Sequence, residues 1–125
     1  MQEPDSSASP FSLRSSRSKA TDRFLVKGRQ SYVIVHASEI QWAESAANYV
    51  VLHTASGKHV LRCTLAELDR RLTEQSFFRA SRSALVNLDC VREIQLPKTG
   101  KRALLLMDGT RVPLARALNQ LREKL

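Results

Sequence analysis

The sequence predicts a mainly β, antiparallel domain with one or two short helices. Short runs rich in β-branched and aromatic residues recur from Phe24 onward, and turn signals separate them. Only two stretches space their leucines as a helix does. A chain of 125 residues is one domain's worth, long enough for a real core.

Phe24-Leu25-Val26 and Tyr32-Val33-Ile34-Val35 flank the turn Lys27-Gly28-Arg29-Gln30 and predict a first hairpin. Ile40 to Glu44 alternates apolar and polar residues, as a half-buried strand does. After the small-residue break Ser45-Ala46-Ala47-Asn48, the runs Tyr49 to His53 and His59 to Cys63 flank Ala55-Ser56-Gly57-Lys58 as a second hairpin. Thr64-Leu65-Ala66-Glu67 is a capping box, and Leu65, Leu68 and Leu72 give the helix behind it one apolar face. Strands follow at Ala84 to Val86, Val91 to Leu96, Ala103 to Met107 and Thr110 to Leu114. Pro97 to Gly100 is one turn between them, and Asp108-Gly109 is a two-residue hairpin signal. Arg116 to Leu125 reads as a short amphipathic helix with Leu118, Leu121 and Leu125 inward.

Residues 1–22 are Ser-rich, carry Pro4 and Pro10 and lack apolar periodicity, so they read as a flexible tail or linker ahead of a domain at residues 23–125. No stretch approaches the roughly 18 to 20 apolar residues that span a bilayer, and no secretory h-region is present. The expectation is a cytoplasmic protein with no membrane partner.

Twenty Lys and Arg against 12 Asp and Glu leave a net charge of +8, and the sequence pI is near 10.2. The natural partner of such a surface is a polyphosphate. Arg79-Ala80-Ser81-Arg82-Ser83, between Phe77-Phe78 and Ala84-Leu85-Val86, concentrates that character in one short segment suited to holding anions. Arg79, Lys98, Lys101 and Arg111 are candidate phosphate contacts, which set register without reading sequence, and the hydroxyls of Ser81 and Ser83 join them. Four such cations acting together predict a log–log salt slope of about −4.

Catalysis finds no support. The chain has no G-x-S-x-G, Walker or H-E-x-x-H sequence and no paired carboxylates in a recognisable context, so no catalytic residue, metal or cofactor is assigned. Cys63 and Cys90 have no metal-ligand spacing and read as small buried hydrophobes. His53 and His59 stand symmetrically about the Ala55 to Lys58 turn, where facing imidazoles could share a metal, but nothing completes the site. Trp42, Tyr49, Phe77 and Phe78 read as core and sheet-packing residues, and Asn87 as a turn residue bonding its own backbone.

The order of several motifs resembles the LytTR DNA-binding domain, an output module of bacterial response regulators. Those motifs are Trp42-Ala43-Glu44 to Asn48-Tyr49-Val50, Arg62-Cys63-Thr64-Leu65 leading a helix, Phe78-Arg79-Ala80-Ser81-Arg82-Ser83 to Val86-Asn87, and Asp108-Gly109 to Val112-Pro113-Leu114-Ala115-Arg116. The resemblance covers roughly Phe24 to Leu125. It implies small antiparallel β-sheets stacked in an elongated sandwich with one or two short helices, whose loops enter successive major grooves. It further implies sequence-specific binding of double-stranded DNA at repeated half-sites, with a homodimer on DNA, in the regulation of bacterial transcription. Carried over residue by residue, the base-contacting positions are Asn48, Arg82 and Arg116, the last as the basic residue that opens the C-terminal helix. The chain departs from the family in carrying Ser81 where His is frequent and Ala115 where Ser is frequent.

Competing readings stay open beside these. Arg82 and Arg116 could be solvated surface arginines or pair with Glu44 or Asp108, and Asn48 could be a turn residue in left-handed backbone. A single-stranded nucleic-acid module or a basic protein-interaction domain would carry the same net charge. An interaction domain would bind any polyanion without preference among DNA sequences.

Overall fold

The computed structural model describes residues 23–72 and 76–125; the expected tail, residues 1–22, lies outside them. Among the described residues the strands form three antiparallel sheets. A hairpin of β1 (Arg23–Lys27) and β2 (Tyr32–His36) is the first. The second has five strands in the order β5-β4-β3-β7-β6, from β3 (Ile40–Ala46), β4 (Tyr49–Thr54), β5 (Gly57–Leu61), β6 (Phe77–Ser81) and β7 (Ala84–Asn87). The third has the order β10-β9-β8, from β8 (Val91–Gln95), β9 (Ala103–Leu106) and β10 (Arg111–Pro113). Helix α1 (Leu65–Arg71) lies between β5 and β6 in the chain, and α2 (Leu118–Lys124) follows β10.

The five-stranded sheet is the middle of a stack. One face carries Ile40, Ala43, Val50, Leu52, Phe77 and Leu85, which pack against Phe24, Val26 and Val35 of the hairpin and Leu65, Leu68 and Leu72 of the α1 segment. The opposite face carries Phe78, Ala80, Ala84 and Val86, which pack against Leu104, Leu106, Val112, Leu114 and Leu121. The stacked small sheets that the resemblance implies are the architecture observed. Two cores on opposite faces explain β7: Ala84, Leu85, Val86 and Asn87 are all buried, and successive side chains feed alternate cores.

The capping box forms as read. Thr64 Oγ1 accepts the Glu67 N–H at 3.0 Å, and Glu67 Oε1 accepts the Thr64 N–H at 2.8 Å. Asn87 is structural, as expected, and does more than bond its own turn. Its Oδ1 accepts the Asp89 N–H at 3.0 Å, while Nδ2 donates to the Ile40 carbonyl at 2.9 Å. The β3–β7 ladder itself runs only from Trp42 to Glu44, so the Asn87 amide extends it past the irregularity at Ile40/Trp42.

Several expectations are corrected. Phe77–Ser81 is a strand, although arginine and serine hide its pattern; Phe77 and Phe78 point into different cores and Ala80 is buried. The β9–β10 connection is a wider turn than two residues: Gly109 N–H donates to Leu106 O at 3.0 Å, Leu106 N–H donates to Thr110 O at 2.8 Å, and Gly109 takes φ +95° to close it. His53 and His59 do not face each other, because β4 and β5 join through Ala55-Ser56 alone and pair His53 with Lys58 and Leu52 with His59. A period of two then sends the two rings to opposite faces. Tyr49 is exposed, and Trp42 is half-buried, stacked on His53 with centroids 4.3 Å apart. Cys63 and Cys90 are half-buried free thiols, each with its pKa raised chiefly by burial. The second helix begins at Leu118, and Leu125 is exposed, because the helix ends at Lys124 and does not carry that side chain inward.

Two changes test this account. Thr64→Ala removes the acceptor for the first-turn amide and should cost about 1 kcal/mol in urea unfolding at neutral pH. The Thr64 backbone N–H holds the Glu67 carboxyl below its ordinary pKa, so the stability linked to that carboxylate is full above the usual carboxylate range and fades as pH falls through the lowered value. Asn87→Ala leaves the Ile40 carbonyl buried without its amide donor and should cost about 2 kcal/mol; a loss under about 0.5 kcal/mol would show that the bridge is dispensable.

Candidate nucleic-acid interface

β3 and β4 pair out to Ala46 and Tyr49, leaving Ala47-Asn48 as a two-residue turn. Ala47, not Asn48, takes the left-handed position, at φ +58°. That placement costs an L-residue about 1–2 kcal/mol. Asn48 is therefore not there to tolerate unusual backbone, and its exposed side chain projects at the tip of the turn.

β6 and β7 join through Arg82-Ser83, with an irregularity between Arg79 and Ser81 that leaves Ala80 as an extra residue on β6. Neither turn residue is left-handed. The primed geometry that a two-residue hairpin favours is therefore absent, and side chains hold the turn instead. Ser81 Oγ accepts the Ser83 N–H at 3.3 Å and lies 3.5 Å from Ser83 Oγ. The Arg79 guanidinium folds back over the turn: Nε donates to Ser81 O and Nη2 to Arg82 O, both at 3.1 Å, while Nη1 lies 3.7 Å from Asp69 Oδ2 on α1. Arg82 itself is exposed. Ser45 N–H donates to Ser83 O at 3.0 Å and ties this turn to the flank of the β3–β4 hairpin.

Beyond β6 the chain returns after β10. Leu114 N–H donates to Arg102 O at 3.0 Å and Ala115 N–H to Ala80 O at 2.8 Å, so this segment continues the sheet edge next to β6. Arg116 sits between that bond and Ala117, the extended residue that precedes α2. The expectation that Arg116 opens the helix is corrected: the Ala80 bond holds the chain extended to this point. A cleft of about 320 Å³ beside it is lined by Arg79, Arg116, Lys124, Asp69, Glu123 and neighbouring residues. Lys124 is a cation the sequence reading did not select; it enters through the turn of α2.

Asn48 and Arg82 thus stand on neighbouring turns at one end of the middle sheet, and Arg116 follows the segment bonded to Ala80 along its β6 edge. Strands about 4.8 Å apart put roughly 17 Å, measured across the strands, between Asn48 and Arg116. Lys98 and Lys101 are exposed on the loop that reaches Leu114 through Arg102, while Arg111 sits at the opposite end of β10 from that junction. Neither Glu44 nor Asp108 forms an ion pair with Arg82 or Arg116. Glu44 Oε1 is 2.9 Å from His53 Nε2. Asp108 Oδ1 accepts the Thr110 N–H at 2.9 Å, a bond that holds its carboxyl below the ordinary value, with a smaller contribution from His53.

A family model for the LytTr DNA-binding domain matches residues 30–125. The chain is 29% identical over 87 residues to the sensory transduction protein LytT of Bacillus subtilis, covering 70% of this chain and 36% of that protein. It is 37% identical over 86 residues to the CO-responsive transcriptional regulator RcoM of Rhodospirillum rubrum, covering 66% and 36%. A response regulatory protein of Vibrio cholerae is 30% identical over 105 residues, covering 83% and 43%. The chain therefore spans well under half the length of these curated relatives. Its fold is similar to the solved LytTr DNA-binding domain of a Bacillus cereus protein described as a methyl-accepting/DNA response regulator, with TM-score 0.69, 22% identity and coverage of 82% of this chain and 94% of that one.

The left-handed Ala47 makes its own prediction. Ala47→Gly should raise stability by about 0.5–1 kcal/mol, the relief of the backbone outweighing the entropy of glycine in the unfolded chain. A lower urea midpoint in this variant would show that the turn carries no such strain.

Proposed function

The chain belongs to the LytTR family of DNA-binding domains, and we propose that it reads double-stranded DNA sequence-specifically through the row Asn48, Arg82 and Arg116, regulating transcription in the bacterial cytoplasm. What supports this reading is that three exposed side chains from separate parts of the chain are carried on one sheet, Asn48 and Arg82 on its neighbouring turns and Arg116 after the segment that bonds β6. Arg suits guanine O6 and N7, and Asn suits adenine N6 and N7, each good pair giving about 1–3 kcal/mol of discrimination. Successive major grooves lie one helical turn of about 34 Å apart, so a row that spans roughly 17 Å across the strands reaches two of them only with the DNA bent toward it. Ser81, Ser83, Lys98, Lys101 and Arg111 are the proposed phosphate contacts. Two copies on repeated half-sites, as a homodimer formed on DNA, complete the proposal.

Selection from a random double-stranded pool at physiological salt should enrich a defined motif. Arg82→Ala and Arg116→Ala should each relax preference at particular positions of it, whereas Lys98→Ala should weaken all duplexes about equally and reduce the log–log salt slope by about 0.9. A pool without enrichment would turn the assignment toward single-stranded nucleic acid or an acidic protein partner.

A further inference from the structure

We propose that Arg79 is a positioning residue for base reading: anchored by Asp69, it fixes the carbonyls of Ser81 and Arg82 and so sets the direction in which Arg82 leaves the turn. This rests on Arg82 reading a base, as proposed above. The two arginines differ in what they face. Arg82 is exposed, while the Arg79 side chain is only 23% exposed, with Nε, Nη1 and Nη2 all directed at protein oxygens. A planar guanidinium is a preformed fork that can hold two carbonyls at once, which a lysine ammonium on a flexible stem cannot reproduce. The turn needs such a clamp. It has no left-handed residue, follows an extra residue at Ala80, and places two consecutive carbonyls at its tip. Asp69 fixes the other side of the fork from a helix whose Leu65 and Leu68 are buried in the core and whose first turn is capped by Thr64.

A phosphate contact and a positioning residue give different results when charge and geometry are changed separately. Arg79→Lys keeps the charge and loses the fork. Asp69→Asn removes a negative charge, which by electrostatics alone would strengthen binding to every duplex. Both variants should lose about tenfold in preference at the base positions that Arg82→Ala relaxes, a size set by one good base contact. Arg79→Lys should do so with the salt slope of the unsubstituted protein, and Asp69→Asn should bind non-cognate duplex no more weakly than that protein. In both, the Arg82 and Ser83 amide resonances of the free protein should shift. Arg79→Lys with unchanged base preference and unchanged amides would overturn the proposal. So would Arg79→Ala weakening all duplexes equally with a slope reduced by about 0.9, which is the signature of a phosphate contact. Arg82→Ala with unaltered preference would instead defeat the reading of Arg82 as a base contact, whatever the other variants do.

Discussion

The fold depends on one strand being buried on both faces. β7 contributes Leu85 to the core beneath the β1–β2 hairpin and α1, and Ala84 and Val86 to the core beneath the three-stranded sheet. Truncating a side chain such as Leu85 leaves a cavity that cores of this kind register at about 2–5 kcal/mol. The same strand begins directly after Arg82-Ser83 and pairs with β3, which runs to the Asn48 turn. Two candidate reading positions are therefore mounted on adjacent strands whose register cannot slip by one residue without turning Leu85 out of one core and Val86 out of the other.

Around that fixed strand, several polar side chains are engaged locally, while most of the described Lys and Arg side chains stay exposed. Ser81 and Ser83 hydroxyls meet within the turn, Asp108 closes its own turn on Thr110, and Glu44 is held by a histidine that is itself stacked on Trp42. Neither Glu44 nor Asp108 is paired directly with Arg82 or Arg116. The net charge of +8 sets the long-range attraction to a polyanion.

What the sequence disclosed was local, and what it concealed was not. The Thr64–Glu67 box and the Asn87–Asp89 bond span two or three residues, and each could be read from residue type and spacing. β6 was hidden because a strand facing two cores shows no alternation, and Arg79 and Ser81 gave it the look of a loop. The His53–His59 symmetry was misleading for a sharper reason: Thr54 Oγ1, by accepting the Ser56 N–H and donating to Gly57 O, tightens the turn to two residues and sets a register composition does not specify. The candidate row was legible only through the resemblance. Nothing in the spacing of residues 48, 82 and 116 announces the bonds from Ser45 to Ser83 and from Ala115 to Ala80 that attach their segments to one sheet.

The clamp on the Arg82 turn shows why such a site is built on buried elements rather than on a longer loop. An arginine free on a flexible loop must give up backbone and side-chain freedom when it meets a base, at about 0.5–1.5 kcal/mol for the side chain alone. A short turn held by the Arg79 fork, by the Ser83–Ser45 bond and by a strand shared between two cores has met the backbone part of that cost on folding. The part still outstanding is the rotamer of Arg82 itself. On the proposed reading of Arg82, discrimination depends on how closely the turn aims that one side chain, and Arg79 governs it through the turn.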